Sequence, residues 1–268
     1  MDPETLVFLE VCQGSECQTI ETSINTFALV TEVVVNPSEE AASPSGGEEA
    51  DDPQDSEQPP SSTDPCPDDF NGWFTTFPLP DLSEVHEVGA PGRILTDEYK
   101  GHGYFRVPSG QNAIEVRMPI DASLTDGSVY LQSGDWGTES QYMLVFQTAC
   151  EGLRFHFDHI EEPVPTIAEL IDWEPTFDSR TYHVGALEMS VGDLVATSIG
   201  FLGDGNAFLD FGVQDRFHRL PTPQHPSAYG GHLDAVCIFT FFDSETAAYL
   251  RAKVPAASVH EIELCPPD

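Results

Sequence analysis

His156, Asp158 and His159 fall together in the stretch "RFHFDHIEEPVP". Imidazoles and carboxylates are the usual ligands of zinc and the usual partners in proton transfer. Three readings are open: a metal site, the base of a hydrolase, or a strand end made polar for solubility. Alternation along a strand separates them. In a regular strand Leu153, Phe155, Phe157 and His159 point to one face, and Arg154, His156, Asp158 and Ile160 to the other. On that pattern His156 and His159 diverge and do not share a metal. His156 and Asp158 share a face, where they either pair as imidazole and carboxylate or form a solvated outer surface. His159 lies on the apolar, inward face, at the floor of a groove.

Other chemistry-bearing stretches are weaker. "FLGDGNAFLDFG" has the flavour of a calcium loop but lacks the spaced acidic pattern and the terminal Glu, so a tight Asp-Gly turn between strands is expected. "HPSAYGGHLDAVC" places His225, His232 and Asp234 in a Gly-rich loop without a standard ligand spacing. No GxSxG elbow occurs, so a Ser/His/Asp triad has no support.

The elements that must position these residues are mostly strands. Short β-like runs recur between turn signals in "GYFRVPS", "AIEVRMPI", "GSVYLQSG", "YMLVFQTAC", "LRFHFDHI", "TYHVGALEMSVGDLVATSIG", "NAFLDFGV" and "DAVCIFTFF". Many strands at regular spacing predict a mainly β fold, a sandwich or barrel. Two short helices are predicted. One is "TIAELIDW", with Thr166 as cap; the other is "DSETAAYLRAKV", capped by Asp243 or Ser244.

Three segments are expected. Residues 1–35 form a small β-rich segment built from "TLVFLEVC" and "TFALVTEVVV". Residues 36–69, rich in Pro, Ser, Gly and acid, read as a disordered, self-repelling linker. Residues 70–268 read as one β domain with a C-terminal extension.

The chain of 268 residues carries 46 acidic and 10 basic residues, a formal net charge of −36, and no Lys or Arg precedes Arg93. Phosphate contacts need a basic footprint, so nucleic-acid binding is excluded as an expectation. No apolar run is long enough for a membrane span, and the start "MDPETLVFLEVCQG" does not read as a signal peptide. The six cysteines form no CxxC pair, and their even number suits an oxidising, extracytoplasmic compartment. Cys12 and Cys17 can close a small loop, and Cys237–Cys265 or Cys150–Cys237 can staple the C-terminal part.

The order of features over 85–216 resembles the lysostaphin-type (LytM-like) zinc endopeptidase domain, the duplicated hybrid motif. "AIEVRMPIDASLTDGSVYL" resembles its strand–"APaDG.V"–strand element, and "LVFQTACEGLRFHFDHI" its hairpin ending in "YaHLs". "MSVGDLVATSIGFLG" is similar to its "V..Gd.V..Gq.IG..G" turn, and "NAFLDFGVQD" stands where the family carries "HLHFEl". Such enzymes cut peptide cross-bridges in bacterial cell walls, with zinc held by an HxxxD motif and by the second His of HxH. The resemblance aligns His102 of "KGHGYFRV" with the first ligand, but Arg106 stands where the Asp belongs. Asp210 stands at the second His of HxH and Phe208 at the first. His159 aligns with the assisting His of "YaHLs".

One zinc ligand is thus kept in His102, one is altered to Asp210, and one is lost to a guanidinium that cannot ligate. The resemblance therefore implies a degenerate, non-catalytic member, secreted, at the cell surface or periplasmic, that binds a cell-wall polymer or an extracellular protein. Arg106, His156, Asp158 and Phe208 are expected to line its groove, and an Arg106–Asp210 ion pair to replace the metal. Two alternatives stay open: an active zinc endopeptidase using His102, His159 and Asp210, and a structural or adhesive β-sandwich of an acidic surface protein.

Overall fold

The computed structural model describes residues 5–13, 16–24, 66–95, 98–225, 227–228, 230–256 and 264–265. The chain divides into two compact units, residues 1–57 and 58–268.

In the first unit, β1 (Thr5–Gln13) and β2 (Glu16–Ile24) form an antiparallel hairpin with Cys12 opposite Cys17. The second strand thus begins directly after the turn. The run "TFALVTEVVV" and residues 36–65 of the expected linker lie outside the described residues.

The second unit is mainly β, as its alternating sequence predicts. Its strands are β3 (Glu87–Gly89), β4 (Arg93–Leu95), β5 (Glu98–Lys100), β6 (Gly103–Arg106), β7 (Val116–Arg117), β8 (Ala122–Gly134), β9 (Gly137–Thr148), β10 (Leu153–Pro163), β11 (Tyr182–Met189), β12 (Leu194–Ile199), β13 (Phe208–Asp215) and β14 (Ala235–Val236). Ten of them form one antiparallel sheet along the path β11-β8-β9-β10-β13-β6-β3; β12 pairs with β10 and β7, and β14 with β13. β4 and β5 make a separate two-stranded ribbon.

The core is aromatic. Phe105, Phe146, Phe155, Phe157, Phe211, Phe241 and Phe242 are fully buried, and Phe146 stacks on Phe155 at 5.1 Å. Each such ring contributes about 1.5–3 kcal/mol by leaving water. All but Phe241 and Phe242 come from β6, β9, β10 and β13, so the inner faces of the central strands are fixed by packing. Their opposite faces are then free to carry the polar groups described below.

The helices are short. α1 (Pro165–Ala168) is a single turn whose cap is Val164, with Pro165 leading it. Thr166 therefore does not cap, because Pro165 already sets the helical φ of the first residue. α2 (Ser244–Arg251) follows the prediction: the Asp243 carboxylate accepts from the N–H groups of Glu245 and Thr246. "DAVCIFTFF" is mostly not a strand. Only Ala235–Val236 pairs, and Ile238–Phe241 forms a 3₁₀ turn that buries Ile238, Phe239 and Phe241. Phe241 meets Phe70, Trp73 and Phe74 from the start of the unit.

Among the described residues the disulfides are Cys66–Cys150 and Cys237–Cys265. The Cys150–Cys237 alternative thus falls. Cys66, expected in the linker, is anchored to the β9–β10 turn. Among the described residues no helix is long and apolar enough to cross a membrane.

Candidate functional site

Three adjacent strands bring the site together. β13 lies between β10 and β6. Asp158 pairs in register with Asp210, His156 with Gly212, and Tyr104 with Asp210. Because alternate residues of a strand share a face, His156 and Asp158 of β10 lie beside Asp210 and Gly212 of β13. His102 enters just ahead of β6.

Close backbone approach is what lets the imidazoles reach. A methyl group on Gly212 would stand 2.2 Å from Cε1 of His156 and 2.9 Å from Cβ of His102. His156 occupies the space that any other residue would fill. It is 6% exposed and its ring meets that of His102 edge-on at 5.7 Å.

Strand alternation breaks at His159. Its φ is +58°, and the pairing of β10 with β9 slips between Phe157 and Ile160. This is a β-bulge. Phe157 and Ile160 are both fully buried, so Ile160 takes the inward face expected for His159. His159 instead swings to the side of Asp158. The bulge has a local cause: the N–H of His159 donates to Oδ1 of Asp158 at 2.7 Å. The same oxygen accepts the hydroxyl of Tyr130 at 2.7 Å. Burial, with the Asp158 carboxylate beside it, raises the Tyr130 phenol far above its ordinary range and keeps it a donor.

Asp210 is the hub. Its Oδ2 lies 3.0 Å from Nε2 of His102 and 3.7 Å from Nε2 of His159. Burial pushes its carboxyl up, but His102, His159 and Arg93 outweigh that and hold it down at about 2. Burial, aided by His102, drives His156 the other way, down to about 3, so it stays a neutral imidazole. His232 arrives from the loop before β14. Its Nδ1 accepts the N–H of Gly101 at 3.0 Å, and burial, followed by the charges of His102 and Lys100, lowers its pKa.

His102, His156, Asp158, His159 and Asp210 line one cavity of about 440 Å³, together with Tyr130 and His232. Sequence reasoning missed Tyr130, and it read His232 as a loop histidine without ligand spacing rather than as part of this site. Tyr130 reads as one more aromatic strand residue, and His232 lies far from Gly101 along the chain.

Arg106 and Phe208 are brought together but do not line this cavity. They face each other in register across β6 and β13, and the guanidinium lies 5.6 Å from the Phe208 ring. Nη1 of Arg106 donates to Oδ1 of Asn206 at 2.6 Å, and Nε lies 3.5 Å from Glu87. The expected Arg106–Asp210 ion pair is therefore absent. Register sets Arg106 opposite Phe208, and Asp210 is held by His102. Phe208 in turn packs on the His159 ring at 4.7 Å.

Among the described residues the donors that come together closely enough for a divalent ion are Asp158, His159 and Asp210, and His102 is not one of them. Zinc takes imidazole nitrogen and carboxylate oxygen at about 2.0–2.2 Å, which places ligand atoms of a tetrahedral site roughly 3.3 Å apart. The 3.7 Å separation of His159 from Asp210 is close to that spacing, and ligand atoms of Asp158, His159 and Asp210 lie within 4.8 Å of one another. Bound there, zinc would act as a Lewis acid. His159 cannot serve both as third ligand and as an assisting base.

The "FLGDGNAF" stretch is the expected turn: Phe201 bridges to Asn206, and Asp204 accepts the N–H of Asn206. His225 and Asp234 are engaged elsewhere, with Ser227 and His218 respectively.

No family model matches the chain, and no curated protein matches it. Among solved structures the chain is similar to Csd3 of Helicobacter pylori, from its orthorhombic crystal, at 12% identity and a TM-score of 0.31. That match covers 65% of this chain and 38% of the other.

Proposed function

We propose that the second unit is a degenerate LytM-like domain, extracellular or at the cell surface, that binds a cell-wall polymer or an extracellular protein and does not cleave it. The observation that carries this is the fate of two positions. Arg106 and Phe208, which the resemblance sets at a zinc ligand and at the first His of HxH, stack on each other. Arg106 is further committed to Asn206 and Glu87. Neither side chain can ligate a metal or move a proton. The two disulfides are compatible with an oxidising compartment, and the cavity beside the His/Asp cluster gives a ligand a place to sit.

A second reading is favoured by the convergence of Asp158, His159 and Asp210, whose ligand atoms lie within 4.8 Å of one another. In it these residues hold one divalent ion within the same groove. One imidazole and two carboxylates can hold a divalent ion, and Tyr130, 3.4 Å from Nδ1 of His159, would help to orient that ring.

The test is co-sedimentation of the chain with insoluble bacterial cell wall, with and without zinc, alongside metal analysis by mass spectrometry. The proposal expects pelleting that weakens in Asp158→Ala and Asp210→Ala. Absence of pelleting on every wall type tried, and of capture of any extracellular protein by the folded domain, would overturn it. About one zinc per chain, lost in His159→Ala and Asp210→Ala, would establish the metal reading.

A further inference from the structure

The loop between α1 and β11 carries a second concavity, separate from the His/Asp cluster. It encloses about 330 Å³, within the range of small-ligand sites, and is lined by Val129, Trp173, Thr176, Asp178, Arg180 and Tyr182. Trp173 and Tyr182 meet at 6.0 Å with their planes 85° apart. They form a corner of two perpendicular aromatic faces. Tyr182 is 54% exposed, and the neighbouring Phe177, at 72%, is the most exposed of the large apolar side chains described. Both rings thus stand in water at the same loop.

The loop is held in place. The N–H of Leu131 donates to the carbonyl of Thr176 at 2.6 Å, and the Ser128 hydroxyl to the carbonyl of Ser179 at 3.0 Å. The corner is thus organised before any ligand arrives, which lowers the cost of binding. At its rim Arg180 and Asp178 pair at 2.9 Å and offer planar donors and acceptors, while Asp172 and Glu174 on either side of Trp173 keep the loop acidic.

We propose that Trp173 and Tyr182 form a binding site for one pyranose unit of a neutral oligosaccharide. The C–H face of a sugar ring is weakly positive and packs on the negative face of an aromatic ring, while Asp178 and Arg180 meet its vicinal hydroxyls. Charge selects the class. A chain of net charge −36 repels polyanionic glycans. A proline-rich peptide needs a groove that takes successive residues of an extended helix, and a single corner takes one ring-sized unit. This site stands independently of the groove reading above.

The test is saturation-transfer NMR and titration on the full chain, using cellotetraose and chitotetraose as neutral probes, a sulfated tetrasaccharide and decaproline. Saturation transfer to at least one neutral probe is expected, with the dissociation constant raised at least tenfold in Trp173→Ala and in Tyr182→Ala. Phe217→Ala, an exposed ring outside this pocket, leaves it unchanged. Trp173 is half-buried, so Tyr182→Ala and Arg180→Ala, both at exposed positions, keep the test decisive if Trp173→Ala fails to fold. Absence of transfer to both neutral probes overturns the proposal, as does unchanged affinity in Tyr182→Ala, or preference for decaproline or the sulfated sugar. Binding lost in His102→Ala but kept in Tyr182→Ala would place the sugar in the groove, overturning this site while leaving the groove reading intact.

Discussion

Acidification should unfold this domain through His156. The ring is buried over Gly212, and its pKa falls from an ordinary 6.5 to about 3. Between those values the unfolded chain binds a proton that the folded chain refuses. Stability therefore falls as pH falls through this window, and the contribution is fully present above about pH 6.5. Each pH unit is worth about 1.4 kcal/mol for one group. From pH 6.5 to pH 4.5 the loss is roughly 2–3 kcal/mol, a large share of a typical domain's stability. Asp210, lowered from 3.8 to about 2, adds its own loss only between those values, where the unfolded chain binds the proton and the folded carboxylate does not. The assay is urea unfolding at pH 7.5, 5.5 and 4.5 for the wild type and for His156→Gln. The variant is less stable at pH 7.5 but cannot take up the proton, so its stability falls less by roughly 2–3 kcal/mol over the same interval. Equal losses in the two proteins would refute the argument, because His156 would then be solvated or paired in a way its burial denies.

Gly212→Ala should cost about 1–3 kcal/mol through overpacking, because the new methyl meets the rings of His156 and the stem of His102; thermal unfolding measures it, and a neutral result would mean that His156 moves freely. Asp243→Ala removes the cap of α2 and should cost about 0.5–2 kcal/mol, read as a lower urea midpoint with an unchanged slope. Replacing Cys66 and Cys150 by Ser opens a link spanning 84 residues and should cost about 2–5 kcal/mol. Comparison with the reduced wild type, which also loses Cys237–Cys265, shows whether the two links act additively.

The strands were readable because Phe155, Phe157 and Phe211 alternate with polar residues, and burial enforces that pattern. The placing of His102 and Asp210 in one cavity was readable only through the resemblance. What alternation could not show is the bulge at His159. It depends on the Asp158 carboxylate capturing one N–H and on Tyr130, a partner from another strand, holding that carboxylate. A single such slip turns every later side chain to the other face. The partner of Arg106 was hidden for a related reason. Register, invisible in one strand's sequence, sets it against Phe208 rather than Asp210. "DAVCIFTFF" has the composition of a strand, but Phe241 and Phe242 are needed inside the core, against Phe74, and a 3₁₀ turn delivers both. The Gly-rich loop marked His232 as a candidate but not its partner, since its contact with Gly101 is made by the fold.

The most direct test of the central claim is cleavage. The zinc-loaded chain is incubated with purified cell wall containing peptide cross-bridges, and newly released amino groups are counted over time. With Arg106 and Phe208 stacked in place of a ligand and a histidine, no release above the background of an Asp210→Ala control is predicted. Zinc-dependent release that disappears in His159→Ala and in Asp210→Ala would contradict the account and make the altered cluster a working peptidase.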